Sequence, residues 1–86
     1  MKRSEEKRTT TLDIYLAAFL TIHQVAPTLT VSNGRVIFVF PSTEHVNKLI
    51  TSYNTNMDVP VADFVVAVKT LRGRMFATKE RGEEGK

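Results

Sequence analysis

The alternation of apolar and polar residues is most regular on either side of Asn33-Gly34. Asn-Gly between two alternating runs predicts a β-hairpin with a two-residue turn, because both central residues of a type I′ turn need positive φ. This turn pairs Ser32 with Arg35, and paired residues share a face of the hairpin. One face is then apolar and carries Leu29, Val31, Val36, Phe38 and Phe40. The opposite face is polar on the first strand, but on the second strand it carries Ile37 and Val39.

A helical period precedes the hairpin, in the segment LDIYLAAFLTIHQV. Thr10 or Thr11 is its predicted N-cap, and Pro27 ends it. The apolar residues fall on two stripes, and a helix that is apolar around most of its circumference is buried on more than one side. The second stripe contains Ile14, Ala18 and Val25.

Two further helices are predicted after the hairpin. Ser42 is the predicted N-cap of the first of them. Its single apolar stripe contains Val46, Leu49, Ile50 and Tyr53. The last helix begins near residue 61, because the residue before Pro60 is held in an extended conformation. Its apolar face contains Val61, Phe64, Val65, Val68, Leu71 and Met75.

The order helix, antiparallel β-hairpin, helix, helix predicts an α+β fold in one domain over residues 10–76. Residues 1–9 are predicted to form a disordered basic arm and residues 77–86 a disordered charged tail, since both segments are charged and lack periodicity. A short edge strand at residues 57–61 is a further option, because Pro60 is tolerated at the edge of a sheet.

The apolar content of the chain indicates association. The 86 residues include no cysteine, so disulfides do not support the fold. Large apolar side chains are numerous between Leu12 and Phe76, beyond what so small a core needs. We therefore expect a homodimer, and more generally a self-associating protein-interaction module. Its expected interface residues are Ile14, Ala18, Ile37 and Val39.

The charge distribution supports an alternative function. Residues 69–86 carry six basic and three acidic side chains, whereas residues 9–68 carry two basic and four acidic ones. The net charge of +3 therefore arises at the ends of the chain. A regulator that binds nucleic acid weakly, through salt-sensitive phosphate contacts, is the second hypothesis. The candidate nucleic-acid contacts are Lys69, Arg72, Arg74, Lys79 and Arg81.

The sequence shows no catalytic or metal-binding pattern. His23 and His45 are the only imidazoles, too few for a histidine-rich metal site. Of the four acids between residues 9 and 68, three lie at predicted helix starts or in a turn, where capping explains them. No nucleophile stands beside a base in a recognisable signature, and the four glycines form no phosphate-binding loop. We therefore expect a protein that is not an enzyme and holds no metal and no cofactor.

The sequence also shows no targeting signal. The longest apolar run, Ile14 to Leu20, is far shorter than the ~20 residues that a transmembrane helix needs. No apolar segment typical of a signal peptide follows the charged N-terminus. We expect a cytoplasmic protein without a membrane partner.

Three segments carry a resemblance to a known family, namely LDIYLAAFL, GRVIFVFPS and VPVADFVVAVKTLRGRM. They resemble a family of small uncharacterised bacterial and phage-associated domains. Its pattern is an Asp-aliphatic-Tyr-aliphatic-Ala-Ala first helix, a hairpin strand ending in Phe-Val-Phe, and a last helix entered through an extended segment. The resemblance spans residues 11–75 and implies the fold but no reaction, because the family is a domain of unknown function. The segment HQVAPT departs from the pattern, in which a glycine-containing turn follows the first helix.

Overall fold

A computed structural model describes residues 7–84 of the chain. Three strands and three helices follow one another in the order β1, α1, β2, β3, α2, α3. Their bounds are Arg8–Thr11 (β1), Ile14–Ile22 (α1), Thr28–Ser32 (β2), Arg35–Pro41 (β3), Glu44–Asn54 (α2) and Val61–Glu84 (α3). The predicted α+β fold is confirmed, with a strand added before the helix, hairpin, helix, helix order.

The hairpin has the predicted register. Ser32 pairs with Arg35, and Leu29 pairs with Phe38. The turn residues Asn33 and Gly34 have φ values of 54° and 79°, which a type I′ turn requires. β3 is the central strand of a three-stranded antiparallel sheet, with β1 and β2 on either side.

The third strand comes from residues 8–11, and the option of an edge strand at residues 57–61 is wrong. Residues 57–60 connect α2 to α3 without strand pairing, and Pro60 O accepts the N–H of Phe64 at 3.0 Å at the start of α3. Pro60 itself lacks the N–H that a ladder needs. The threonines of β1 are β-branched and favour an extended backbone beside β3.

Parts of the two segments that were predicted to be disordered belong to regular elements. Residues 8 and 9 belong to β1 rather than to an arm. Lys7 precedes the strand without regular secondary structure, and residues 1–6 lie outside the described residues. Residues 77–84 belong to α3 rather than to a tail, and residues 85–86 lie outside the described residues. The last turns are rich in Ala, Lys, Glu and Arg, whose helix propensity offsets the ~1 kcal/mol that each glycine costs.

Two N-caps differ from prediction by one to three residues. Asp13 caps α1, accepting the N–H of Tyr15 at 2.9 Å. Thr43 caps α2, accepting the N–H of Val46 at 3.1 Å. Thr10 and Thr11, which were expected to cap α1, both belong to β1, where they pair with Val39 and Phe38.

The helices pack against one face of the sheet. Phe38 and Phe40 on that face are fully buried, as the alternation predicts. They form one core with α1, α2 and α3, in which the buried helical residues are Ala17, Ala18, Phe19, Leu20, Val46, Ala67, Val68 and Leu71. The Cα positions span 41 × 40 × 18 Å, so the described chain is a flat, two-layer molecule.

Candidate interaction site

The outer face of the sheet, defined by Ile37 and Val39 of β3, is left uncovered by the described part of the chain. Both side chains are only half-buried. The register places Thr30 opposite Ile37, and Thr10 and Thr28 on either side of Val39. Cβ atoms of directly opposite residues lie about 5 Å apart, so the threonines flank the two apolar side chains. The predicted mixed face therefore has an apolar centre and a rim of hydroxyl groups.

The edges of the sheet are bordered by basic side chains. At the β2 edge, Arg74 Nη2 donates to Pro27 O at 3.5 Å, and Arg81 lines the same depression. At the β1 edge, Lys7 and Arg8 are exposed. Charged side chains at an edge discourage pairing with another strand. The apolar side chains that this sheet offers to a second molecule therefore lie on its outer face and not along its edges.

The prediction that Ala18 belongs to an interface is wrong. Its side chain is 0% exposed and lies in the core of this chain. α1 is apolar around most of its circumference because α3, α2 and β1 all contact it, so its second stripe is already covered. Ile14, from the same predicted stripe, is half-buried and remains at the surface.

A groove lies between the hairpin turn, the start of α1 and the second half of α3. We call it the Phe76 groove, and its volume is about 560 Å³. Leu12 and Phe76 are 53% and 71% exposed at this groove, beside the less exposed Ile14, Val36 and Met75. Gly34 and three cationic side chains, Arg35, Arg72 and Lys79, also line the groove. The groove therefore combines an apolar floor with positive charge.

The basic residues of α3 divide between two sides of the helix. Arg72 and Lys79 are seven residues apart and both line the Phe76 groove, with Lys69 one turn before Arg72. Arg74 and Arg81 are also seven residues apart, but both lie at the start of β2. Arg74 follows Arg72 by two positions, and Arg81 follows Lys79 by two, which corresponds to a rotation of about 200° around the helix axis. The five candidate nucleic-acid contacts are thus all exposed but do not form one continuous stripe.

Asp13 and Tyr53 tie the start of α1 to the end of α2. Asp13 Oδ1 accepts the Tyr15 N–H, and Asp13 Oδ2 accepts the Tyr53 hydroxyl at 3.2 Å. Burial and, after it, the Asp13 carboxylate raise the pKa of Tyr53 above its usual 10.0. The Asp13 carboxylate therefore stabilises the start of α1 as its N-cap and also holds the Tyr53 hydroxyl of α2.

The two histidines do not form a site together. His23 is the C-cap of α1, and its ring packs on Phe19 with 4.6 Å between ring centroids. Its Nε2 is buried with no hydrogen-bond partner among the described residues. His45 is exposed in the first turn of α2. Within residues 7–84, no three His, Cys, Asp or Glu side chains are grouped as metal ligands would be.

The comparisons with known proteins place the chain in one family. No helix in the described part is both long enough and apolar enough to cross a membrane. No curated protein and no solved structure matches the chain. One family model matches residues 6–77, which include every strand, the helices α1 and α2, and most of α3. The chain therefore belongs to the family described as domain of unknown function DUF5659.

Proposed function

We propose that this protein is a non-catalytic protein-interaction module that self-associates through the outer face of its sheet. The observation that carries the proposal is the position of Ile37 and Val39, half-buried at the centre of a sheet face that no described helix covers. A second copy packed on this face removes both side chains from water. Each square ångström of apolar surface so buried contributes about 25 cal/mol.

The expected geometry is a two-fold dimer with the sheets face to face. Such sheets pack about 10 Å apart, and a two-fold axis brings the same patch of both copies together. The threonines around Ile37 and Val39 can donate and accept hydrogen bonds at the rim, which leaves the apolar pair at the centre. This arrangement follows the usual division of an interface into apolar core and polar rim.

The size of the face predicts a weak dimer. Three strands spaced about 4.8 Å apart, with about 3.3 Å per residue along the seven residues of β3, give a flat area of about 300 Å². A standard interface buries about 800 Å² on each partner, so this face is small by comparison. We expect a dimer that forms at tens of micromolar and dissociates on dilution.

The test is the molar mass, measured by light scattering over a dilution series. The wild type should approach the dimer mass at tens of micromolar, and Ile37→Lys should remain monomeric with an unchanged circular dichroism spectrum. Val66→Lys is the matched control, because Val66 is 62% exposed on α3, in the other layer of the molecule. A wild type that stays monomeric at these concentrations, or an Ile37→Lys variant with the wild-type mass, would contradict the proposal.

Weak nucleic-acid binding is the second candidate, favoured by the five exposed cations of α3. Each phosphate contact releases counterions, so the affinity should fall steeply as salt rises. Because residues 8–9 and 77–84 belong to folded elements, charge substitutions test this candidate better than truncation. A variant with all five cations changed to Gln should lose binding to a labelled DNA duplex. Binding that is retained at physiological salt would point to another surface.

A further inference from the structure

The Phe76 groove has apolar surface that the proposed dimer leaves exposed. Ile37 and Val39 do not line it, whereas Val36, on the opposite face of β3, does. The groove therefore lies on the helical side of the sheet, at the end formed by the hairpin turn. Phe76, at 71% exposure, is a large aromatic side chain held in water. Exposed apolar patches rimmed by polar groups mark interaction sites.

The charges around this groove are of one sign. Arg72 and Lys79 project from α3 two turns apart, which is about 10.5 Å along the helix axis. Arg35 lies across the groove, next to the hairpin turn. Among the described residues that line the groove, none is a carboxylate. The two walls thus attract a ligand that carries negative charge on both of its flanks.

The backbone around the groove favours a helical occupant. An extended peptide binds by pairing with an open strand edge. The strand residues that line this groove, Arg35 and Val36, both pair with β2, and β1 pairs with the other side of β3 only from Phe38 onward. The open stretch of β3 is therefore residues 35–37, shorter than the five or six residues of a typical strand. A helix satisfies its own backbone hydrogen bonds, so it needs only side-chain contacts from the groove.

We propose that the Phe76 groove binds an acidic amphipathic helix of a partner protein. The apolar stripe of that helix packs on Leu12 and Phe76, the two exposed apolar side chains of the groove. Its carboxylates, placed beside the stripe and about two turns apart, meet the cations of the two walls. The partner's apolar residues follow the spacing i, i+3, i+4, i+7 that fits a groove of this kind.

The probe is a fluorescently labelled designed peptide of about four helical turns, with leucines at that spacing and glutamates on both flanks. A second peptide carries lysine at every glutamate position and keeps the leucines. Binding is followed by fluorescence anisotropy with the full chain. We expect the glutamate peptide to bind at least about tenfold more tightly than the lysine peptide, with a difference that shrinks as salt screens the charges.

Two matched double variants locate the site. Arg72→Gln with Lys79→Gln should weaken the glutamate peptide about tenfold, since two charge pairs are removed. Arg74→Gln with Arg81→Gln makes the same change of charge at the same spacing on the other side of α3, and it should leave the affinity within about twofold. Phe76→Ala should also weaken binding, and its exposure means that the fold is retained.

Four results would overturn the proposal. They are equal binding of both peptides, no binding of the glutamate peptide up to about 100 micromolar, equal effects of the two double variants, and full displacement of the peptide by a DNA duplex. Displacement by DNA would assign the groove to nucleic acid. The mass of Phe76→Ala supplies a further check: a loss of the dimer in this variant would mean that a second copy occupies the groove. The proposal is independent of the sheet-face dimer, because Ile37→Lys should bind the glutamate peptide as the wild type does.

Discussion

Replacing Gln24 by glycine should stabilise this protein. Gln24 follows the C-cap of α1 and has a φ of 73°, in the left-handed region. Its N–H donates to Thr21 O at 3.0 Å, and the N–H of Val25 donates to Leu20 O at 3.0 Å. This pair of bonds is the Schellman motif, whose left-handed position is usually glycine. The side chain of Gln24 is exposed, so its removal costs no packing.

Two opposing contributions determine how much Gln24→Gly raises the free energy of unfolding. A left-handed residue with a Cβ costs about 1–2 kcal/mol relative to its normal conformation. Glycine removes this cost, but it loses more backbone entropy on folding than glutamine does. The entropy loss cancels about 0.5–1 kcal/mol of the stabilisation. The net stabilisation is therefore about 0.5–1 kcal/mol. For a domain of this size, 1 kcal/mol corresponds to a rise of about 4–8 °C in the melting temperature.

Urea and thermal denaturation, followed by circular dichroism, measure this change. Asn56→Gly is the matched comparison, because Asn56 has a φ of 68° in the same motif at the end of α2, with Met57 N–H donating to Ser52 O at 3.2 Å. Asparagine tolerates this region better than glutamine does, so its gain should be smaller. Gln24→Ala, which keeps the Cβ, should bring no gain. A Gln24→Gly variant that melts at or below the wild-type temperature would refute the reasoning.

Two further predictions concern the core and the Tyr53 contact. Phe38→Ala, at a side chain that is 0% exposed, should lower the free energy of unfolding by about 3 kcal/mol or more. Arg35→Ala, at the exposed first residue of β3, should be nearly silent, and equal melting temperatures of the two variants would mean that the hairpin faces the other way. The raised pKa of Tyr53 means that its contribution to stability is fully present below pH 10 and is lost as the pH rises through the folded-state pKa. The stability advantage of wild type over Tyr53→Phe should therefore decrease above pH 10, and a difference that is constant between pH 8 and 11 would contradict this assignment.

The parts of the fold that could be predicted are those fixed by local rules. Asn33-Gly34 sets both the turn and the register of the hairpin, because few dipeptides adopt two consecutive positive φ values. The buried face followed from the register without further information. The helix that ends in HQVAPT was also predictable, although glutamine rather than glycine occupies the left-handed position. There the hydrogen bonds of the motif and the packing of α1 outweigh the conformational cost.

The parts that could not be predicted depend on tertiary pairing. β1 is a four-residue strand of Arg and Thr, too short and too polar to show an apolar alternation. Its pairing with β3 is what makes it a strand, and this partner lies about 30 positions along the chain. The two apolar stripes of α1 are, by contrast, easy to recognise in the sequence, but they do not say which element covers each of them. They indicated correctly that the helix is covered on several sides, but the covering elements include α2 and α3 of the same chain, which is why Ala18 is not available to a partner.

The Phe76 groove escaped prediction for the same reasons that the ends of the domain did. Leu12 reaches the groove because β1 ends at Thr11 and directs the chain into α1, and Lys79 reaches it because α3 continues past residue 76. If residues 1–9 form a disordered arm, no strand precedes Leu12 to position it at the groove. If residues 77–86 form a disordered tail, α3 ends before it reaches Lys79. The charge and the apolar surface of α3 were each visible in the sequence, but only the continuous helix combines them into a single surface that distinguishes an acidic partner from a basic one.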